Sequence, residues 1–263
     1  MCAMNPRLLR PTSSTLDADA AVYLNAVAQA DGQQLEPAVR KAINDFVVGC
    51  KRDNIWNAIK ASCILAGART LTGALTPLRG SAPTNNGPFV SGDYNRETGL
   101  VGNGSSKYLD TNRNNNADPQ DSNHQALWLT SAMSISQACI GAGGASSGTS
   151  SIATTSAALF SYRSRNGTPI TGGSSAGTTG LIGTSRAAST GYDSRDNGTT
   201  TARTQASQAA YSGNVFVFAR ESGGSAGLYT GARIAFYSIG ESLDLALLDA
   251  RVSALITAIG AAI

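Results

Sequence analysis

Apolar residues keep helical spacing in the first 80 positions and at the very end of the chain. Between these ends they fall into short runs broken by Gly, Asn, Ser and Thr. Val22, Tyr23, Ala26, Val27 and Ala30 recur at the spacing of one helix face, and Gly32 stops the run. Ser14 or Thr15 is the expected N-cap, with Asp17 and Asp19 in the first turn, where the helix dipole favours acids. Pro37 opens a second helix with the stripe Val39, Ile43, Phe46, Val47 and Cys50. Asp53 or Asn54 restarts the chain into Ile55, Trp56, Ile59, Cys63 and Ile64, ended by Gly67, which predicts a third helix. Residues 75–88 hold Pro77, Gly80, Pro83 and Asn85-Asn86-Gly87-Pro88, a linker composition.

From there to residue 240 the period shortens. Runs at 89–90, 100–101, 108–109, 126–130, 133–140, 157–162, 180–184, 215–219 and 232–239 are bounded by turn residues, which is the pattern of an all-β region. Both 214–219 and 233–239 are apolar on nearly every side chain, so they predict strands covered on both faces. The Gly/Ser/Thr stretches 141–151, 172–180 and 222–227 read as hairpin tips and exposed loops. The chain closes on a helix with Ser242 as N-cap, Asp244 in the first turn, and Leu243, Leu247, Leu248, Val252, Leu255, Ile256 and Ile259 on a wide apolar face. The expected class is α+β: an extended arm at 1–13, a helical module at 14–80, an antiparallel β-sandwich at 81–240 and a C-terminal helix at 241–263.

Only 14% of the 263 residues are charged, against about 25% in an ordinary globular chain, and the net charge is +3. Polarity therefore rests on Ser, Thr, Asn and Gly. No basic run is interleaved with aromatics, which argues against nucleic acid as a partner. Arg40 to Arg52 carries four cations but also Asp45, as a solvated helix face would. No apolar stretch approaches the roughly 20 residues of a membrane span, and the start lacks the core of a signal peptide. The expectation is synthesis in a cytoplasm without membrane insertion. Cys2, Cys50, Cys63 and Cys139 form no paired-cysteine motif; Cys50 and Cys63 sit on expected helices close enough in the chain for a pairing, with two small buried thiols the favoured reading.

Candidate chemistry is sparse. His124 is the lone histidine, and no nucleophile elbow accompanies it. The acids of the β-region fall in no pattern that sets two carboxylates on one strand face, so no catalytic residue is expected. The segment 110–121 alternates oxygen-bearing residues. Asp110, Asn112, Asn114, Asp118 and Asp121 are its candidate calcium ligands, although Asn115 stands where a calcium loop turns on glycine and Arg113 adds positive charge. An Asn-rich turn capping its own backbone is the favoured reading, with no cofactor. Tyr162, Tyr192 and Tyr229 are the candidate loop-tip aromatics for stacking on a sugar. Trp56 and Tyr23 read as core.

Three segments carry a resemblance. They are Asp45-Phe46-Val47-Val48-Gly49-Cys50-Lys51 continuing through 55–71; Gly92-Asp93-Tyr94-Asn95-Arg96-Glu97-Thr98-Gly99-Leu100 with Lys107 to Asp110 and Asn112 to Asn116; and Ala235 to Asp244. Together they resemble a module of tailed-bacteriophage structural proteins, over residues 16–259, whose β-part is similar to the concanavalin A/laminin-G-like jelly roll. The resemblance implies a non-catalytic component at the virion surface, in a tail fibre, a tail or a capsid decoration. It implies partners among other virion proteins and homo-oligomers, and carries over no catalytic residue. Two other functions compete with it: a receptor- or carbohydrate-binding module for a host surface polysaccharide, and a polysaccharide depolymerase.

Overall fold

The computed structural model describes residues 16–144 and 147–263. The expected arm at 1–13, the caps Ser14 and Thr15, and Cys2 lie outside the described residues. α1 (Ala18–Asp31) and α2 (Pro37–Arg52) lead into β1 (Ile59–Ile64). A single turn, α3 (Leu71–Ala74), precedes β2 (Pro77–Arg79) and β3 (Thr84–Asn86). Then follow β4 (Tyr94–Asn95), β5 (Gly99–Val101), β6 (Tyr108–Asn114), β7 (Asn123–Leu129), β8 (Ala138–Ala142), β9 (Ser150–Thr154), β10 (Leu159–Ser164) and β11 (Ile170–Ser174). The chain continues through β12 (Gly180–Ala188), β13 (Gly191–Asp196), β14 (Thr199–Thr204), β15 (Asn214–Val217), β16 (Arg220–Ser222), β17 (Ser225–Gly227), β18 (Arg233–Gly240) and α4 (Leu245–Ala262).

Two large sheets face each other. Sheet A runs β14-β13-β12-β7-β18-β1-β2, with β5 and β4 beside β18; sheet B runs β11-β10-β9-β8-β15-β6-β3, with the β16–β17 hairpin beside β8. Every pairing is antiparallel except β16 with β8, where Glu221 meets Ala142. The architecture is the expected α+β sandwich of jelly-roll class. Leu127, Leu129, Ile140, Ile152, Phe160 and Tyr237 fill the space between the sheets. The three long helices form a third layer on the outer face of sheet A, where Phe46, Val47, Leu248, Val252 and Ile259 pack on Ile59, Ile64 and Phe236. β18 serves both cores because a bulge between Ile234 and Phe236 turns Phe236 outward and Ile234 and Tyr237 inward. Among the described residues no helix is long and apolar enough to cross a membrane.

Several expectations are corrected. The third helix over 53–67 is replaced by the 3-10 turn Trp56–Ala58 and β1. Ile59 and Ile64 point to the helices while Ala61 and Cys63 point between the sheets. A strand apolar on both faces mimics a helix stripe over so short a run. The presumed helical segment 14–80 thus gives β1 and β2 to sheet A, and the presumed linker 75–88 contains β2 and β3. Residues 89–90 and 133–137 are not strands. The α1 cap is Asp17, which accepts from Asp19 N, and the α4 cap is Asp244 in place of Ser242, accepting from Ala246 N and Leu247 N. Cys50 and Cys63 lie unbonded in separate cores, and burial pushes both thiols up to about 12.

Candidate functional site

Apart from Tyr229, the sequence candidates for chemistry are engaged in structural contacts. At the end of the sandwich where β6 and β10 stop and β7 and β9 begin, Arg165 is 1% exposed with a positive φ of 55°. It donates to the carbonyls of Asn115 at 2.6 Å and Asp118 at 2.8 Å, and to Pro119. Those bonds hold the turn 115–119 onto the sandwich. A cavity of about 10 Å³, lined by Arg165, His124, Gln125 and Asn115 among others, has room for about one water. Arg165 Nε and Gln125 Oε1, which otherwise lack partners, border the same cavity.

The Asn-rich segment folds around this arginine as a self-capped turn. Asp110 Oδ1 accepts from Asn112 N at 2.8 Å and Asn114 Oδ1 from Asn116 N at 3.0 Å. Asp118 is paired with the Arg113 guanidinium at 2.5 Å, and Asp121 accepts from Ser207 Oγ at 2.5 Å. Asp110, Asn112, Asn114, Asp118 and Asp121 are therefore spread along a strand and a turn, each with its own partner. No group of three or more acidic, histidine or cysteine side chains suited to a metal ion forms among the described residues.

His124, 2% exposed, is held through both ring nitrogens, Nδ1 to Glu241 O at 2.5 Å and Nε2 to Ser238 Oγ at 2.8 Å. Burial depresses its pKa to about 4, against a smaller upward pull from Glu241 O. The sign follows directly. Between pH 6.5 and 4 the unfolded chain holds this proton and the folded chain does not, so stability falls as pH falls. The full loss is about 3 kcal/mol for this group. The urea midpoint of wild type should drop between pH 7 and pH 4.5, and His124→Gln should lose much of that slope; equal slopes would refute the assignment.

Tyr162 and Tyr192 are corrected from loop tips to core. Tyr162 is 0% exposed and donates to Asp196 Oδ2 at 2.7 Å, and Tyr192 donates to Tyr162 O at 3.1 Å. The signal was present in β10, where Phe160 and Tyr162 alternate with Ser161 and Arg163 at period two. Trp56 is buried as expected, its indole N–H on Asp19 at 2.9 Å and its ring under Arg79 at 4.9 Å. A polar cleft of about 410 Å³ opens beside it, with Lys51 paired to Asp17 and Asp19.

Two surfaces remain available for contact. One is the outer face of sheet B. Alternation along β6 and β15 sends Leu109 and Val217 inward and Tyr108 and Phe216 outward. Tyr108 stacks on Phe216 with centroids 4.6 Å apart, and the half-exposed Tyr229 completes the cluster at 6.2 Å from Tyr108. The second is the outward stripe of α4. Leu247, Ala250, Ala254, Thr257, Ala258 and Ala261 are exposed and uncharged. The charges of this helix turn to partners within the chain, Asp249 to Arg195 at 2.7 Å and Arg251 to Asp53 at 2.6 Å.

No family model matches the chain, and no curated protein matches it. Among solved structures it is similar to the NanB sialidase of Streptococcus pneumoniae in complex with 2-[(3-chlorobenzyl)ammonio]ethanesulfonate, at 12% identity and TM-score 0.39 over 51% of this chain and 24% of that one. It is also similar to a leech intramolecular trans-sialidase complexed with 2,7-anhydro-Neu5Ac, at 14% identity and TM-score 0.37 over 54% of this chain and 23% of that one. The chain spans about a quarter of the length of those enzymes. A likeness this distant carries no argument about activity or ligand.

Proposed function

We propose that this chain is a non-catalytic structural module exposed on a bacteriophage particle, assembled by contacts with its own copies and with other virion proteins. The observation that carries the reading is the uncharged stripe of α4. A surface helix ordinarily turns charged and polar residues to water, whereas the exposed side chains of this one are Ala, Leu, Thr and Gly, with Ile263 just beyond its end. Small apolar side chains let another backbone approach closely, and a self-complementary stripe suits the two-fold contacts of homo-oligomers. Non-catalytic action fits the engagement of His124, Asp118 and the buried thiols in structural contacts.

Sedimentation of the purified chain should give an oligomer, and the double variant Leu247→Glu with Ala254→Glu should give a folded monomer. An antibody against the chain should label intact particles. A wild-type monomer together with unlabelled particles would overturn the reading.

A second reading, a binding module for a host surface polysaccharide, is favoured by the Tyr108–Phe216–Tyr229 cluster. Tyr108 and Tyr229 keep partly exposed rings beside the buried Phe216, which gives sugar rings a surface to stack on.

A further inference from the structure

Sheet B carries an unneutralised pair of arginines on its outer face. In β10 the inward side chains are Phe160 and Tyr162, so Arg163 points outward. Directly opposite on β9 is Ser151, which also points outward because Ile152 faces the core. Opposite Ser151 on β8 is Gly141, and opposite Gly141 on β15 is Phe216. One row across the sheet thus reads Arg163, Ser151, Gly141, Phe216. Glycine at 141 lets β8 and β9 approach closely; a Cβ there would lie 2.7 Å from both Ser151 Cβ and Ser150 O.

Arg220 enters from the hairpin. Its neighbour Glu221 pairs with Ala142, next to Gly141 along β8. Strands lie about 4.8 Å apart, so the roughly 10 Å from β8 to β10 is within reach of two arginine side chains meeting over Ser151. Their charges do interact: Arg163 is lowered by burial first and by Arg220 second. Among the described residues no carboxylate acts on either charge. Glu221 faces other donors, taking Tyr211 OH at 3.2 Å, Gly143 N at 3.4 Å and Gly224 N at 2.6 Å. Arg163 Nε is used by Gly167 O at 3.0 Å, which leaves its terminal nitrogens.

Two orphaned groups mark the same spot. Ser151 is 0% exposed and its Oγ has no hydrogen-bond partner, and Arg220 Nε is equally enclosed and unpartnered. A buried polar atom without a partner is destabilising, and two beside an uncompensated pair of guanidinium groups describe a receptor for an anion. Other arginines have partners that answer their charge: Arg96–Glu36, Arg195–Asp249 and Arg251–Asp53 are ion bridges, and Arg165 and Arg186 are enclosed by backbone carbonyls.

We infer that Arg163, Arg220 and Ser151 form an oxyanion-binding site on the outer face of sheet B, taking a carboxylate or phosphate group carried by a larger polar molecule. Guanidinium forks match planar and tetrahedral oxyanions through paired N–H bonds. The Ser151 hydroxyl adds a donor. The same face carries Tyr108 and Tyr229, partly exposed beside the buried Phe216, so an acidic sugar polymer can set its charged substituent on the arginines and its ring on the two tyrosines. The identity of that larger molecule rests on the polysaccharide reading above; the oxyanion site itself does not.

The test is titration of the whole chain with inorganic phosphate and, separately, with D-glucuronate, following arginine Nε–H resonances by NMR. Arg163 and Arg220 should shift together and saturably with at least one of the two anions, which also tells carboxylate from phosphate. Arg163→Gln and Arg220→Gln should each weaken binding at least tenfold. Ser151→Asp supplies the missing carboxylate from within the chain; it should abolish binding and raise the melting temperature. This variant keeps the test decisive if a glutamine variant fails to fold. Unmoved Arg163 and Arg220 resonances with both anions, or wild-type affinity in folded variants, would overturn the site. An oligoglucuronate and a neutral dextran separate the two readings. Anion binding without retention of either polymer sinks the polysaccharide reading alone, whereas polymer binding that survives both glutamine substitutions sinks the oxyanion site alone.

Discussion

Arg186→Met should lower the stability of the chain by about 4 kcal/mol or more, the largest effect expected of any single substitution considered. The guanidinium is 0% exposed and donates to the carbonyls of Ser164 at 2.9 Å, Ala188 at 3.0 Å, Ser189 at 3.4 Å, Gly191 at 3.0 Å and Gln205 at 3.0 Å. It also lies 5.3 Å from the centroid of the Tyr192 ring. One side chain therefore ties the end of β10 to the β12–β13 turn and to the irregular segment leaving β14. Methionine keeps the apolar stem but satisfies none of these acceptors, and each buried acceptor left open costs about 1–3 kcal/mol. Partial relaxation and water entry keep the total below the simple sum. Lysine should rescue little, because one ammonium cannot span five carbonyls. Urea unfolding followed by circular dichroism measures this; a midpoint within a few tenths of a molar of wild type would show that the carbonyls find other donors.

Phe236→Ala should cost about 3–5 kcal/mol and should act mainly on the helical layer. Phe236 is 0% exposed, and its ring meets Phe46 of α2 edge-on, with centroids 5.7 Å apart. It is the aromatic of β18 that faces the helices, while Tyr237 beside it serves the inter-sheet core. Alanine leaves a cavity between α2 and the middle of sheet A that neither rigid layer can close. Amide exchange should rise more in α2 and α4 than in β9 and β10. Equal rises in both would show that the layers open only as one unit.

How far the fold could be read from residues follows from what each element needs to hide. α2 was legible because Val39, Ile43, Phe46, Val47 and Cys50 make one stripe and the opposite side carries Lys41 and Asp45; all five stripe residues are buried. β15 and β18 were legible as strands covered on both faces. β1 was not, because Ile55, Ile59 and Cys63 fall four residues apart and continue the helical spacing of the segments before it. The Gly/Ser/Thr stretches misled for another reason. β9 is buried throughout yet built from Ser150, Ser151, Ile152, Ala153 and Thr154, small residues that fit under neighbouring chain. β14, outside those stretches, is the opposite case, an edge strand of Thr, Ala and Arg203 that is almost wholly exposed. Neither shows the apolar alternation by which strands are usually found. The oxyanion site was hidden because Arg163 and Arg220 lie 57 residues apart by their numbers and meet only through sheet order.

The β7-β18-β1 trio at the middle of sheet A joins residues 123–129, 233–240 and 59–64. On a ribosome, β1 and β7 emerge long before β18, the strand that must slide in between them. Until then both keep a naked edge of backbone donors and acceptors, a template for pairing with any neighbouring nascent chain. A message truncated ahead of residue 233 yields a product that can never close this gap, and the surplus edges hand it to proteases or to aggregates. Residues 233–240 thus act as the latch of sheet A, which closes only once β18 has emerged.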